Sequence, residues 1–126
     1  MNANEHGWVN KFAVAMSGVV WSAQTQNSFR IHLPIALATL GVAAWLRIDP
    51  WRWVAIVLAI TIVLAAELMN TSIEQLVRIL HPQHDEGIKR ALDAAAGAVL
   101  LAAIGAIIVG LITLGLPLWE ALEAQP

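Results

Sequence analysis

The chain divides into four stretches with different patterns of hydrophobic and polar residues. From Trp8 to Val20 the apolar residues Trp8, Val9, Phe12, Met16, Val19 and Val20 recur among polar ones. This spacing predicts an amphipathic helix lying in the headgroup plane, with Lys11 toward water, within an interfacial region 1–28. From Ile31 to Ile48 only His32, Pro34, Thr39 and Arg47 interrupt an apolar run, which predicts a first transmembrane helix over 30–48. Asp49-Pro50 then marks a tight stop. A second span is expected over 51–80, apolar all round in its first half and carrying Glu67, Asn70, Glu74 and Arg78 in its second. A hairpin follows over 81–89, and a third span over 90–119 has no charged side chain between Asp93 and Glu120. These runs pass or approach the roughly 20 apolar residues that a hydrocarbon core of about 30 Å requires.

Composition agrees with the pattern. Of 126 residues, 59% are hydrophobic and 13% charged, and the mean hydropathy is +0.69. So short a chain cannot wrap three apolar helices in a soluble shell, whereas lipid covers them directly. The expected fold is an all-α integral membrane protein, with one membrane domain over 1–126. Cysteine is absent, which excludes disulfides and thiolate metal sites. Met1 to Asn10 lacks the marks of a cleaved signal peptide, so the first apolar helix is expected to be retained. Ala94, Ala98, Ala102, Ala106 and Gly110 recur every four residues and predict a stripe for close helix packing. Lys11, Arg30, Arg78, Lys89 and Arg90 fall on one side of the spans and Arg47 and Arg52 on the other. That bias predicts a cytoplasmic N-terminus and a cytoplasmic 81–89 hairpin. The tryptophans at 8, 21, 45, 51, 53 and 119 lie mostly near span ends, the pattern of interfacial anchors.

Candidate chemistry concentrates where the second span leaves the membrane. A carboxylate at the centre of a membrane helix costs about 2.5–3.5 kcal/mol and less near the interface, so Glu67 and Glu74 are functional candidates. With Asn70 they are spaced i, i+3 and i+7 and share one helix face, suited to a cation or a hydroxyl group. Asp93 starts the third span at similar depth. His32, near the start of the first span, either approaches this face or caps its own helix region. His81 and His84 read as residues of a solvated turn, since two histidines three apart are weak evidence for a metal. No basic, aromatic-interleaved patch points to nucleic acid.

Glu67-x-x-Asn70-x-x-x-Glu74, the hairpin, the Asp93-Ala-Ala-Ala-Gly-Ala-Val-Leu100 start of the third span and the Phe29-Arg30-Ile31-His32 entry to the first resemble the small prokaryotic diacylglycerol kinase and undecaprenol kinase family. The resemblance covers most of the chain. It implies a homotrimer in the cytoplasmic (inner) membrane, with active sites between neighbouring subunits at the cytoplasmic interface and no Walker-type glycine loop. The implied activity is transfer of the ATP γ-phosphate to a lipid hydroxyl, with Mg2+ as cofactor. Glu67 is then the expected general base, Asn70 a polar positioning group and Glu74 the magnesium ligand. Asp93, Lys89, Arg90, Arg30 and Arg78 are expected near the nucleotide phosphates.

The chain departs from the family pattern within the site. Gln26 stands where the kinases carry a second metal-binding glutamate, Leu92 replaces a phosphate-binding lysine, and Arg78 replaces an aspartate. Lys89 and Arg90 are the nearest substitutes for that lysine, and Arg78 is spaced to pair with Glu74 at i+4. Two readings follow. In one the protein is an active kinase with phosphate binding taken over by these cations. In the other it is a catalytically altered or inactive member that acts as a lipid-binding, transport or regulatory membrane protein.

Overall fold

The computed structural model describes residues 7–126; the first six residues of the expected interfacial region lie outside the described residues. Four α-helices follow one another, α1 (Trp8–Thr25), α2 (Asn27–Leu46), α3 (Pro50–Leu80) and α4 (Glu86–Glu123), and no strand occurs among the described residues. Helices α2, α3 and α4 are each long and apolar enough to cross a membrane. Helix α2 starts at Asn27 rather than 30, and α4 extends beyond 90–119 at both ends.

The junctions are short, and each has a local cause. Between α1 and α2 only Gln26 leaves the helical region, at φ −97° and ψ 122°. Its N–H donates to Ser22 O and its C=O accepts from Arg30 N, so one residue ends a helix and begins the next. After α2 the chain turns through Arg47, the one non-glycine residue with positive φ (52°) among the described residues. Its N–H returns to the carbonyls of Ala43 and Ala44, closing the helix as left-handed caps do. Pro50 then opens α3 at the position where a missing N–H costs nothing. The Asp85 carboxylate accepts from Ile88 N at 3.0 Å and caps α4.

Inside the apolar helices every polar group needs a local partner. Thr39, Thr61 and Thr113 donate to the carbonyl four residues before, at 2.7–2.8 Å. The hydroxyls therefore add no unmet demand. Pro34 lies within α2, which continues through it.

Packing is concentrated away from the α3–α4 hairpin. Ala43, Ile48 and Ile56 are buried there, with Leu40, Leu46, Trp53, Ile60 and Leu114 packed against them. Trp53 thus serves the protein core, whereas Trp8, Trp45, Trp51 and Trp119 are exposed as anchors would be. Helix α4 packs mainly along α3, yet only 6% of its most apolar window is buried within the chain. Along its small-residue stripe Ala102, Ala106 and Gly110 are half-buried, and Ala94 and Ala98 are exposed. The first half of α1 is bare, with Trp8 and Val9 exposed and Lys11 Nζ standing 5.0 Å over the Trp8 ring.

Candidate active site

Helices α2 and α3 run to and from the Arg47–Asp49 turn, so residues equally far from it along the two helices lie at similar height. His32 precedes the turn by 15 residues and Glu67 follows Pro50 by 17, about 22 and 25 Å of helix. The two side chains meet, with His32 Nδ1 2.8 Å from Glu67 Oε1. Glu67 is 2% exposed, the most buried charged residue among those described. The ring N–H is not aligned for a hydrogen bond, and the contact is an ion-pair approach without hydrogen-bond geometry. Of the two roles expected for His32, proximity to the acidic face is the one found.

The remainder of that face behaves differently. Seven residues carry α3 about 10 Å further along its axis, and Glu74 is half-buried on an open groove of about 700 Å³ beside the α3–α4 hairpin. Asn70 joins the two levels: its Nδ2 donates to Glu74 Oε1 at 2.9 Å, and its Oδ1 is buried with no partner among the described residues. The three residues share a helix face, as their spacing predicts, but not a partner. Glu67 turns to α2 and Glu74 to the groove.

Arg78, Lys89 and Leu92 line the groove with Glu74, and so do His81, His84 and Asp85. The expected Arg78–Glu74 ion pair does not form: Arg78 makes no ion pair among the described residues, and Glu74 is held by neutral Asn70 instead. Lys89 reaches Asp93 at 2.8 Å, one helical turn along α4. The Asp93 side chain is 65% exposed and is not part of the groove wall. Arg90 approaches Glu86 at 3.9 Å on the outer side, and Arg30 donates to the Gln24 carbonyl. Gln26 donates to Thr25 Oγ1 and lines no cavity with Glu74. The structure therefore brings Glu74, Asn70, Arg78 and Lys89 together, and leaves Gln26, Arg30, Arg90 and Asp93 outside. His81 and His84, expected as plain turn residues, are added to the wall. That membership follows from the hairpin closing back on α3, which no local spacing reveals.

Magnesium is a hard cation that takes one or two protein carboxylates and completes its shell with water and phosphate oxygens. Among the described residues no three His, Cys, Asp or Glu side chains converge as a closed metal cage. An open arrangement fits that habit: the Glu74 carboxylate is a hard oxygen donor on the open groove.

A third space lies deeper. Between α2, α3 and α4 runs an apolar cavity of about 290 Å³, with His32 among the residues that line it.

Comparison with known proteins identifies relatives over most of the chain. The sequence profile of prokaryotic diacylglycerol kinase matches residues 13–114. The chain is 40% identical over 100 residues to a diacylglycerol kinase of Synechocystis sp., covering 79% of this chain but only 57% of that protein. It is 35% identical over 101 residues to the undecaprenol kinase of Bacillus subtilis, covering 80% of this chain and 82% of that one. To the diacylglycerol kinase of Escherichia coli K12 it is 29% identical over 113 residues, with 90% and 77% covered. Three membrane-spanning helices, an acidic face at the end of the second, and similarity over most of the chain have one common explanation: the chain belongs to the prokaryotic diacylglycerol kinase family.

Proposed function

We propose that the protein is a membrane lipid kinase that transfers the γ-phosphoryl group of ATP to the hydroxyl of a membrane lipid, diacylglycerol or undecaprenol. The observation that carries this reading is the placement of Glu74, Arg78 and Lys89 on one open groove, with the buried acid Glu67 about 10 Å further into the membrane. A kinase acting on a lipid needs a polar nucleotide site and an acid near the hydrocarbon, and α3 carries both.

In this reading Arg78 and Lys89 bind the phosphates, taking over from the lysine that Leu92 replaces. Asp93 orients Lys89 through their ion pair. Glu74, oriented by the Asn70 amide N–H, is the place for Mg2+, which when bound offsets phosphate charge. Glu67 supplies the negative charge that draws the proton from the lipid hydroxyl. Phosphoryl transfer asks little more of a protein than positioning and electrostatic stabilisation.

The bareness of α4 supports a homotrimer. Ala94 and Ala98 are exposed in the single chain, and small residues let a second copy approach closely. The excess of Lys and Arg on the hairpin side supports a cytoplasmic hairpin and N-terminus in the inner membrane, with α1 lying on its surface. That is the side on which ATP is found.

The test is ATP-dependent phosphorylation of diacylglycerol and of undecaprenol by purified protein in lipid micelles. Turnover that requires Mg2+, stops on chelation, and is lost in both Glu67→Gln and Glu74→Gln is expected. No turnover on either lipid from folded, oligomeric protein would refute the reading.

A further inference from the structure

We propose that the hydroxyls of Ser22 and Thr71 select the lipid: they donate to the ester carbonyls of a glycerol lipid, so the preferred acceptor is diacylglycerol and not a polyprenol. This inference rests on the lipid kinase reading and names the acceptor within it.

The site is a groove of about 520 Å³ between α1 and α3, walled by Gly18 and Trp21 on one helix and by Ser72 and Gln75 on the other. Ser22 and Thr71 line it and are 3% and 5% exposed. Ser17, Thr25, Thr39, Thr61, Ser72 and Thr113 each donate to a carbonyl one turn back in their own helix. Ser22 and Thr71 make no such bond among the described residues, and neither oxygen is sealed from the groove. Buried hydroxyl donors left without a partner call for acceptors from outside the chain.

Charge decides which acceptors fit. Among the described residues no charged side chain lines this groove, so a phosphate finds no counter-charge in it. Arg78 and Lys89 lie on the separate groove beside Glu74. The occupant is therefore neutral, apolar enough to lie against Val19 and Leu68, and supplied with acceptor oxygens. An esterified glycerol has that make-up. A polyprenol carries one hydroxyl on a hydrocarbon chain and leaves both donors unmet. Position agrees with this choice: four residues turn a helix through about 400°, so Thr71 stands about 40° round from Glu67 and about 6 Å along. The ester oxygens of diacylglycerol are a few bonds from its free hydroxyl, a reach that spans this offset. With α1 on the membrane surface, the groove opens at the level of the glycerol esters.

The test compares diacylglycerol, its 1,2-dialkyl ether and undecaprenol as acceptors of ATP-dependent phosphorylation by the purified protein. The ether keeps the shape and the hydroxyl but lacks both carbonyls. For the wild-type protein kcat/KM on the ester should exceed that on the ether and on undecaprenol by at least about ten-fold, the scale of buried donors left unmet. Ser22→Ala combined with Thr71→Val should bring ester and ether to within about three-fold of each other, whereas Thr71→Ser, which keeps a donor, should preserve the preference. Equal use of ester and ether, or better use of undecaprenol, by the wild-type protein would overturn the inference and leave the kinase intact. A preference that survives both substitutions would overturn it equally. So would a changed oligomeric state in the double variant with the preference intact, which would give the groove to a second copy. Should the double variant not fold, Ser22→Ala and Thr71→Val singly carry the comparison. Failure of the wild-type protein on every acceptor is a distinct outcome, since it removes the kinase reading and the inference with it.

Discussion

Two carboxylates on one helix, seven residues apart, have opposite surroundings. Glu67 is buried against His32, its one charged partner, on the membrane side of Glu74. Glu74 borders an open groove with Arg78, Lys89 and two histidines, held only by the neutral Asn70. The difference teaches that depth in the membrane, more than helix face, decides what an acidic residue can do. In a low-dielectric setting a charge must be matched in place, whereas at the interface it remains free to meet ions brought by substrate.

The contrast predicts that damage at the two sites differs in kind. His32→Leu leaves a buried carboxylate alone, and breaking such a pair costs about 3 kcal/mol or more. Thermal unfolding in detergent should show this as a large loss of stability, much of it recovered in the double variant His32→Leu/Glu67→Leu. A stable His32→Leu single variant would break the comparison. Glu74→Gln should leave unfolding nearly unchanged, because it exchanges one partner of Asn70 for another. Its turnover should fall by about two orders of magnitude, since several kcal/mol of charge stabilisation are lost with a metal ligand, and raised Mg2+ should restore part of it. Leu92→Lys sharpens the picture of the groove: an added ammonium on a partly exposed wall is worth up to about 1 kcal/mol, so KM for ATP should fall by up to about five-fold with kcat unchanged. Arg47→Gly lies far from both sites. Relief of a left-handed conformation should stabilise the protein by about 1 kcal/mol, seen in unfolding curves, with turnover unaffected.

Much of this architecture was legible in the residue pattern. The three spanning helices follow from long apolar runs, whose signal survives any detail of packing, and Asp49-Pro50 marks the turn between two of them. The acidic face of α3 is likewise a matter of spacing. What spacing cannot supply is the identity of the partner across the bundle. Arg78 sits at i+4 from Glu74, yet Asn70, four residues on the other side, takes the contact. The His32–Glu67 pair was within reach of the sequence by counting residues from the Arg47–Asp49 turn in both directions. Trp53 shows the opposite limit: its place near a span end suggests an anchor, but the close turn folds it onto Ala43 and Ile56. Arg90 and Asp93 fall outside the groove because α4 turns them outward, a rotation that their position after the hairpin does not reveal.

The length of α4 has a consequence of its own. Residues 94–119 carry no charge and, at about 1.5 Å per residue, extend about 39 Å against a hydrocarbon thickness of about 30 Å. The surplus obliges the helix to lean or the bilayer to thicken around it. Because α4 packs along α3, its lean sets how far the Glu74 groove rises toward the headgroups. The chain is in that sense a gauge of bilayer thickness, which turnover in vesicles of graded acyl length would read directly.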